Sequence, residues 1–152
     1  MGRKILTVRV AGLSLLPATA RRPLIFTAAV RRVFARERSK AKGEVNIVIL
    51  DRERMRAMNR EFLGHDRDTD VIAFQHEALP GVPDAERAIG DIYISSWLSA
   101  RHAEELGHSV LHEALTLAVH GALHLLGHDD SSPRGKARMF RLQDEILAGE
   151  RA

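Results

Sequence analysis

Hydrophobic and polar positions alternate with changing period along this chain, and each change of period marks an element. Residues 4–10 read as a strand, followed by a turn-prone stretch through Pro17. A helical spacing of apolar residues starts near Pro23 and predicts a helix that ends by Gly43. Residues 45–50 form a near-continuous apolar run, the signature of a strand buried on both faces. Asp51 is a good N-cap for a helix running to about Phe62, with Gly64 placed to terminate it. Residues 70–76 and 91–95 read as further strands, separated by a loop carrying Pro80, Gly81 and Pro83. Beyond Ile94 the periodicity is helical throughout, over 97–106, 110–126 and 133–147. The order predicts an α+β (α/β-like) fold, a small mixed sheet of about four strands packed with about five helices.

Composition narrows the class. At 152 residues with 45% hydrophobic content, the chain is expected to form one domain over residues 1–152 with a core of its own. It contains no cysteine, so disulfides and thiolate ligands are excluded, which suits a reducing compartment. The opening residues lack a hydrophobic signal region, and no apolar run approaches the roughly 18 residues of a membrane span. A cytoplasmic protein with no membrane association is the expectation. No internal repeat or linker is visible, and the sequence is silent on oligomeric state.

The net charge is only +3, but it is unevenly placed. Between Arg21 and Lys42 lie eight basic residues, including Arg31, Arg32, Arg36 and Arg38, opposed only by Glu37. Leu24, Ile25, Ala28, Val30, Val33 and Phe34 are interspersed, which suggests an amphipathic helix with a basic polar side. Such a run is most often a solvated face. It is also what a phosphate backbone binds, because charge neutralisation gives sequence-independent affinity.

The densest chemistry lies near the C-terminal end, in His120-Gly-Ala-Leu-His124-Leu-Leu-Gly127-His-Asp-Asp130. Two histidines four apart on a helix differ by about 40° in azimuth and about 6 Å in rise, so both imidazoles point the same way. Gly127 can take a positive φ, end the helix and let Asp130 fold back to the same point. A divalent cation such as zinc takes imidazole nitrogen and carboxylate oxygen at roughly 2.0–2.2 Å. The last turns of a helix also favour positive charge. A single histidine on an apolar face is usually a core residue, whereas this combination reads as a metal site. His128 is an alternative third ligand, although it has little room to turn back one residue past Gly127. His112 and Glu113 lie more than one turn before His120 and are read as non-ligands.

The pattern H-G-x-L-H-L-x-G-x-D-[HD] resembles the signature of the YbeY endoribonucleases, bacterial enzymes of ribosomal RNA maturation with a zincin-like fold. The segment Asn59-Arg-Glu-Phe-Leu-Gly64-His-Asp66-Arg-Asp-Thr69-Asp70-Val-Ile-Ala-Phe74 is similar to that family's N-x-x-Y-R-x-x-D-x-x-T-D-V-L-S-F, and Gly90-Asp91-Ile92 matches its G-D-I strand start. Three matched segments in the right order are highly specific, and the resemblance extends over nearly the whole chain rather than one motif. The resemblance implies a metal-dependent, single-strand-specific endoribonuclease acting in maturation of the small-subunit rRNA 3′ end and in ribosome quality control. Its partners would be rRNA and the small ribosomal subunit.

On this reading His120, His124 and Asp130 hold one zinc ion with an open position, and Thr69 and Asp70 line the cleft. Arg31, Arg32, Arg36 and Arg38 meet RNA, and Asp91 either orients a ligand histidine or caps its strand. Two positions depart from the family pattern. Its usual third histidine is Asp130 here, and its usual arginine, commonly given a catalytic role, falls on Leu63. Two other classes stay in view: a ribosome-associated RNA-binding protein with a structural metal, and a zincin-type peptidase. Against the peptidase, Gly121 stands where the H-E-x-x-H pattern places its glutamate base; Asp129 or Glu113 would have to supply that base.

Overall fold

The computed structural model describes residues 6–37, 39–77, 80–83 and 87–148. Among these, four strands and five α-helices follow in the order β1 (Leu6–Ala11), α1 (Pro23–Arg36), β2 (Gly43–Leu50), α2 (Arg52–Leu63), β3 (Val71–Gln75), β4 (Ala88–Ser95), α3 (Ser96–Leu106), α4 (Val110–Leu125) and α5 (Pro133–Ala148). The strands form one mixed sheet in the order β1-β2-β4-β3. β1, β2 and β4 run parallel, and β3 pairs antiparallel with β4 at one edge. The α+β expectation holds. No described helix is long and apolar enough to cross a membrane.

Local chemistry sets the helix ends. The Asp51 side chain accepts the Arg54 backbone N–H at 2.8 Å, and Gly64 ends α2 in the left-handed region at φ 73°. The Ser109 hydroxyl accepts the His112 N–H at the start of α4, and Gly127 takes φ 92° two residues past its end. The first helix departs from expectation. It stops at Arg36, and Ser39 N–H turns back to the Phe34 carbonyl, so Lys40 and Lys42 fall outside the helix. Its buried face is also rotated: Phe26, Ala29, Val30, Val33 and Phe34 enter the core, while Leu24 is 80% exposed.

Burial on β2 alternates along the strand, with Val45, Ile47 and Ile49 buried and Asn46, Val48 and Leu50 only partly so. The expectation of a strand buried on both faces therefore fails. One continuous core, drawn from α1, α4 and α5, covers one face of the sheet. On the other face of β2, Asn46, Val48 and Leu50 are half-buried. A long apolar run shows that a strand is central, not that both faces are dry.

The central helix, α4, lies against β4 at unusually short range. A Cβ on Gly121 would sit 2.5 Å from Ile92 Cγ2, and one on Gly90 would sit 2.4 Å from Leu125 Cδ2 and 2.6 Å from the Phe74 carbonyl oxygen. Glycine on each partner lets the helix seat against the strand. At the same end the Gln75 side-chain amide donates to the Leu125 carbonyl at 3.0 Å, tying the edge strand β3 to the end of α4.

Gly121→Ala is expected to destabilise the protein, because overpacking costs about 1–3 kcal/mol while helix propensity returns only about 1 kcal/mol. Urea melts of Gly121→Ala, Ile92→Ala and the pair check this. The loss in the double variant should be smaller than the sum of the two single losses. Additive losses would mean that Ile92 is not what Gly121 makes room for.

Candidate metal centre

The last two turns of α4 carry His120 and His124 with rings 4.7 Å apart between centroids and inclined at 69°. Their Nε2 atoms are 3.1 Å apart. The turn at Gly127, closed by Gly127 N–H to the His124 carbonyl and His128 N–H to the Leu123 carbonyl, brings the following loop back over the helix end. Asp130 Oδ2 then lies 3.3 Å from His120 Nε2 and 3.6 Å from His124 Nε2. Two imidazole nitrogens and a carboxylate oxygen thus face one point, all within 4.8 Å of one another.

The neighbouring loop residues are turned elsewhere. The Asp129 carboxylate accepts the Ser131 N–H at 2.8 Å and the Ser131 hydroxyl at 2.6 Å, and these bonds hold it below the usual aspartate range. The His128 ring contacts the Glu37 carboxylate at the end of α1. Of the three loop candidates, the structure brings only Asp130 to the histidine pair.

A polar residue of α5 completes the arrangement, and sequence reasoning missed it. Gln143 Oε1 accepts from His120 Nδ1, and Gln143 is buried among Met139, Leu142, Ile146 and Leu147. With its Nδ1 proton held there, His120 presents the Nε2 lone pair to the cluster. A signal was available, since Gln143 is a lone amide inside the apolar stripe of α5.

The donor chemistry fits a divalent cation. Burial first, and the charge of His120 second, push His124 below the usual histidine range, with Asp130 pulling the other way. A neutral imidazole is the form a metal binds. Two ring nitrogens 3.1 Å apart beside a carboxylate are placed to share one positive ion.

The triad opens onto two adjoining grooves of about 510 and 620 Å³. The smaller is walled by Leu63, Thr69, Asp70 and β3; the larger runs back along α4 towards Glu113. Thr69 and Asp70 therefore stand beside the triad, and Asp70 Oδ1 also accepts the Val71 N–H at 2.8 Å. Leu63, at the place of the family's arginine, is 48% exposed on the same wall.

The remaining sequence candidates are placed elsewhere. The Asp91 side chain accepts from the Asn46 amide at 3.2 Å and the Tyr93 hydroxyl at 3.4 Å, and contacts His76 Nε2 at 3.0 Å. It lies on the sheet face opposite α4, because its neighbours Gly90 and Ile92 are the residues that α4 covers. The reading of Asp91 as orienting a ligand histidine is accordingly corrected: strand alternation points it the wrong way. Its charge and burial together raise the Tyr93 hydroxyl above the usual tyrosine range, with burial the larger cause. Arg31, Arg32 and Arg36 line neither groove, and Arg36 is ion-paired with Glu145 of α5. Arg38 lies outside the described residues.

Fold and donor set define an α+β protein with a two-histidine, one-carboxylate cluster at the end of its central helix. A family model described as endoribonuclease YbeY matches residues 19–150. A relative named endoribonuclease YbeY from Elusimicrobium minutum (strain Pei191) is 39% identical over 123 residues, covering 81% of this chain and 85% of its own. Another of that name, from Cutibacterium acnes (strain DSM 16379 / KPA171202), is 40% identical over 110 residues, covering 70% of this chain and 71% of its own. The solution structure of a Thermotoga maritima protein matches with a TM-score of 0.59 at 22% identity, over 95% of this chain and 92% of that one, which shows the shared fold. The chain belongs to the endoribonuclease YbeY family.

Divalent-metal affinity should fall about 10–100-fold in Gln143→Ala, the usual effect of removing the partner of a ligating histidine. Gln143→Glu keeps an acceptor for Nδ1–H and should retain metal. Competition against a chromophoric chelator measures both. Equal loss in the two variants would make Gln143 a packing residue only.

Proposed function

We propose that this chain is a zinc-dependent, single-strand-directed endoribonuclease acting in rRNA maturation, with the small ribosomal subunit as its partner in the cytoplasm. The observation that carries the metal-dependent reading is the convergence of His120, His124 and Asp130 beside an open groove. Family membership supports RNA as the substrate, since the relatives are named endoribonucleases.

In this reading His120 and His124 offer two Nε2 lone pairs and Asp130 one oxygen, leaving the groove side open to substrate. Gln143 holds the proton on His120 Nδ1, so the ligating tautomer is set before any ion arrives. A zinc ion bound there would lower the pKa of a water and offset charge developing on the scissile phosphate. The groove walls place the strand. Thr69 offers a hydroxyl beside the triad, and Leu63 and Val71 offer apolar surface to a sugar or base. Among the described residues no lysine or arginine lines either groove, while Asp70, Glu113, Asp130 and Asp144 do. An RNA phosphate would be repelled by this wall alone, so neutralisation falls to a bound cation. The exposed Arg31 on α1 meets phosphates farther along a structured RNA, outside the groove.

The same geometry weighs against the other classes. A closed structural site needs a fourth donor, and His128 is turned to Glu37. A peptidase base is missing too: Asp129 is held by Ser131, and Glu113 lies seven residues, about two turns, before His120.

Purified protein should carry about one tightly held zinc per chain and cleave single-stranded RNA, and His124→Ala should lose most of both. Asp130→His should keep the metal and Asp130→Ala should not, with His128→Ala close to the parent. Elemental analysis beside an RNA cleavage assay reads these outcomes. Full zinc content in His124→Ala, or a larger effect at His128 than at Asp130, would contradict the ligand set.

A further inference from the structure

The geometry points to a second, weaker transition-metal site at the far end of the larger groove, built from His108, His112 and Glu113. Their ligand atoms all lie within 4.8 Å of one another, as in the first cluster, and the donor set is the same: two imidazoles and one carboxylate. The α3–α4 connection fixes the geometry. Gly107 ends α3 at φ 70°, His108 N–H bonds back to the Ala103 carbonyl, and Ser109 caps α4 through the His112 N–H. This tight turn stacks the two imidazoles with centroids 4.6 Å apart and planes inclined at 35°.

Glu113 supplies an independent sign. It is only 7% exposed, it lines the groove, and among the described residues no basic side chain forms an ion pair with it. A carboxylate on the groove wall without a counter-charge beside it is a place where a cation would be held.

The ion would not be a co-catalytic partner of the first. Glu113 and His120 are seven residues apart on one helix, about 10 Å in rise, against the 3.5–4 Å of paired-metal sites. The two clusters sit at opposite ends of α4, so the helix dipole favours a cation at the triad and opposes one at His112. The triad therefore fills first. The role of the second ion rests on the endoribonuclease reading: in a groove walled by carboxylates, it would neutralise a phosphate of the same strand two helical turns from the one being cleaved.

The metal count tests the site without reference to RNA. Chelator-stripped protein titrated with Zn²⁺ and read by calorimetry, with Co²⁺ absorption as a second probe, should bind two ions per chain in separated steps. His112→Ala and Glu113→Gln should each bind one, with the tighter step kept and the thermal melt unchanged. His120→Ala should lose the tighter step and keep the weaker. A single ion in the parent protein, or two in both His112→Ala and Glu113→Gln, would overturn the site whatever the RNA results. Single-stranded RNA binding in saturating zinc tests the role. The slope of log affinity against log salt should fall by about 0.7 in His112→Ala, because one phosphate fewer is neutralised. An unchanged slope in a variant that no longer binds the second ion would overturn the role on the strand.

Discussion

The close seating of α4 on β4 is the constraint on which the site depends. Gly121 and Gly90 remove the two side chains that would hold helix and strand apart. The histidines are fixed to the sheet by that contact: Gly121 adjoins His120 in sequence, and Leu125, which covers Gly90, adjoins His124. The bond from Gln75 to the Leu125 carbonyl sets the edge strand against the same helix end, and that edge forms the groove wall facing the triad. A gap between helix and strand would move both ligand histidines relative to Thr69, Asp70 and the groove floor. Gly121 thus has a packing role as well as being the place where a peptidase pattern would put its base.

Electrostatics then decides what the groove can accept. Among the described residues carboxylates line it and guanidinium groups do not, so by itself it suits cations and rejects polyanions. A cation at the triad reverses the local sign at the one place where the chemistry is proposed. On the proposed function, a dependence of RNA binding on metal would follow from the wall as well as from the ligands. The basic α1, which carries the most conspicuous charge in the sequence, contributes little here, because Arg36 is held by Glu145 and none of its arginines reaches the groove lining.

Local signals in the sequence were legible where local chemistry makes the decision. Asp51, Gly64 and Gly127 end or start helices through their own backbone or side-chain bonds, and each does so in the structure. The i, i+4 histidines and the turn to Asp130 were visible for the same reason. What the sequence concealed is tertiary. Gln143 reaches His120 only because α5 packs on α4, although its place in an apolar stripe hinted at a buried partner. The two readings of Asp91 stay open in the sequence because alternation along β4 cannot tell which face α4 will cover. The two-sided burial expected of β2 failed because the main helical core covers one face of the sheet.

The central claim is that a cation held by His120, His124 and Asp130 is required for cleavage of RNA in this groove. Its most direct test is to strip the protein with a chelator, assay a single-stranded RNA, and reload with one equivalent of zinc. The account predicts no cleavage by the stripped protein, which keeps its fold by circular dichroism, and recovery on reloading. Undiminished cleavage by the metal-free protein would contradict it.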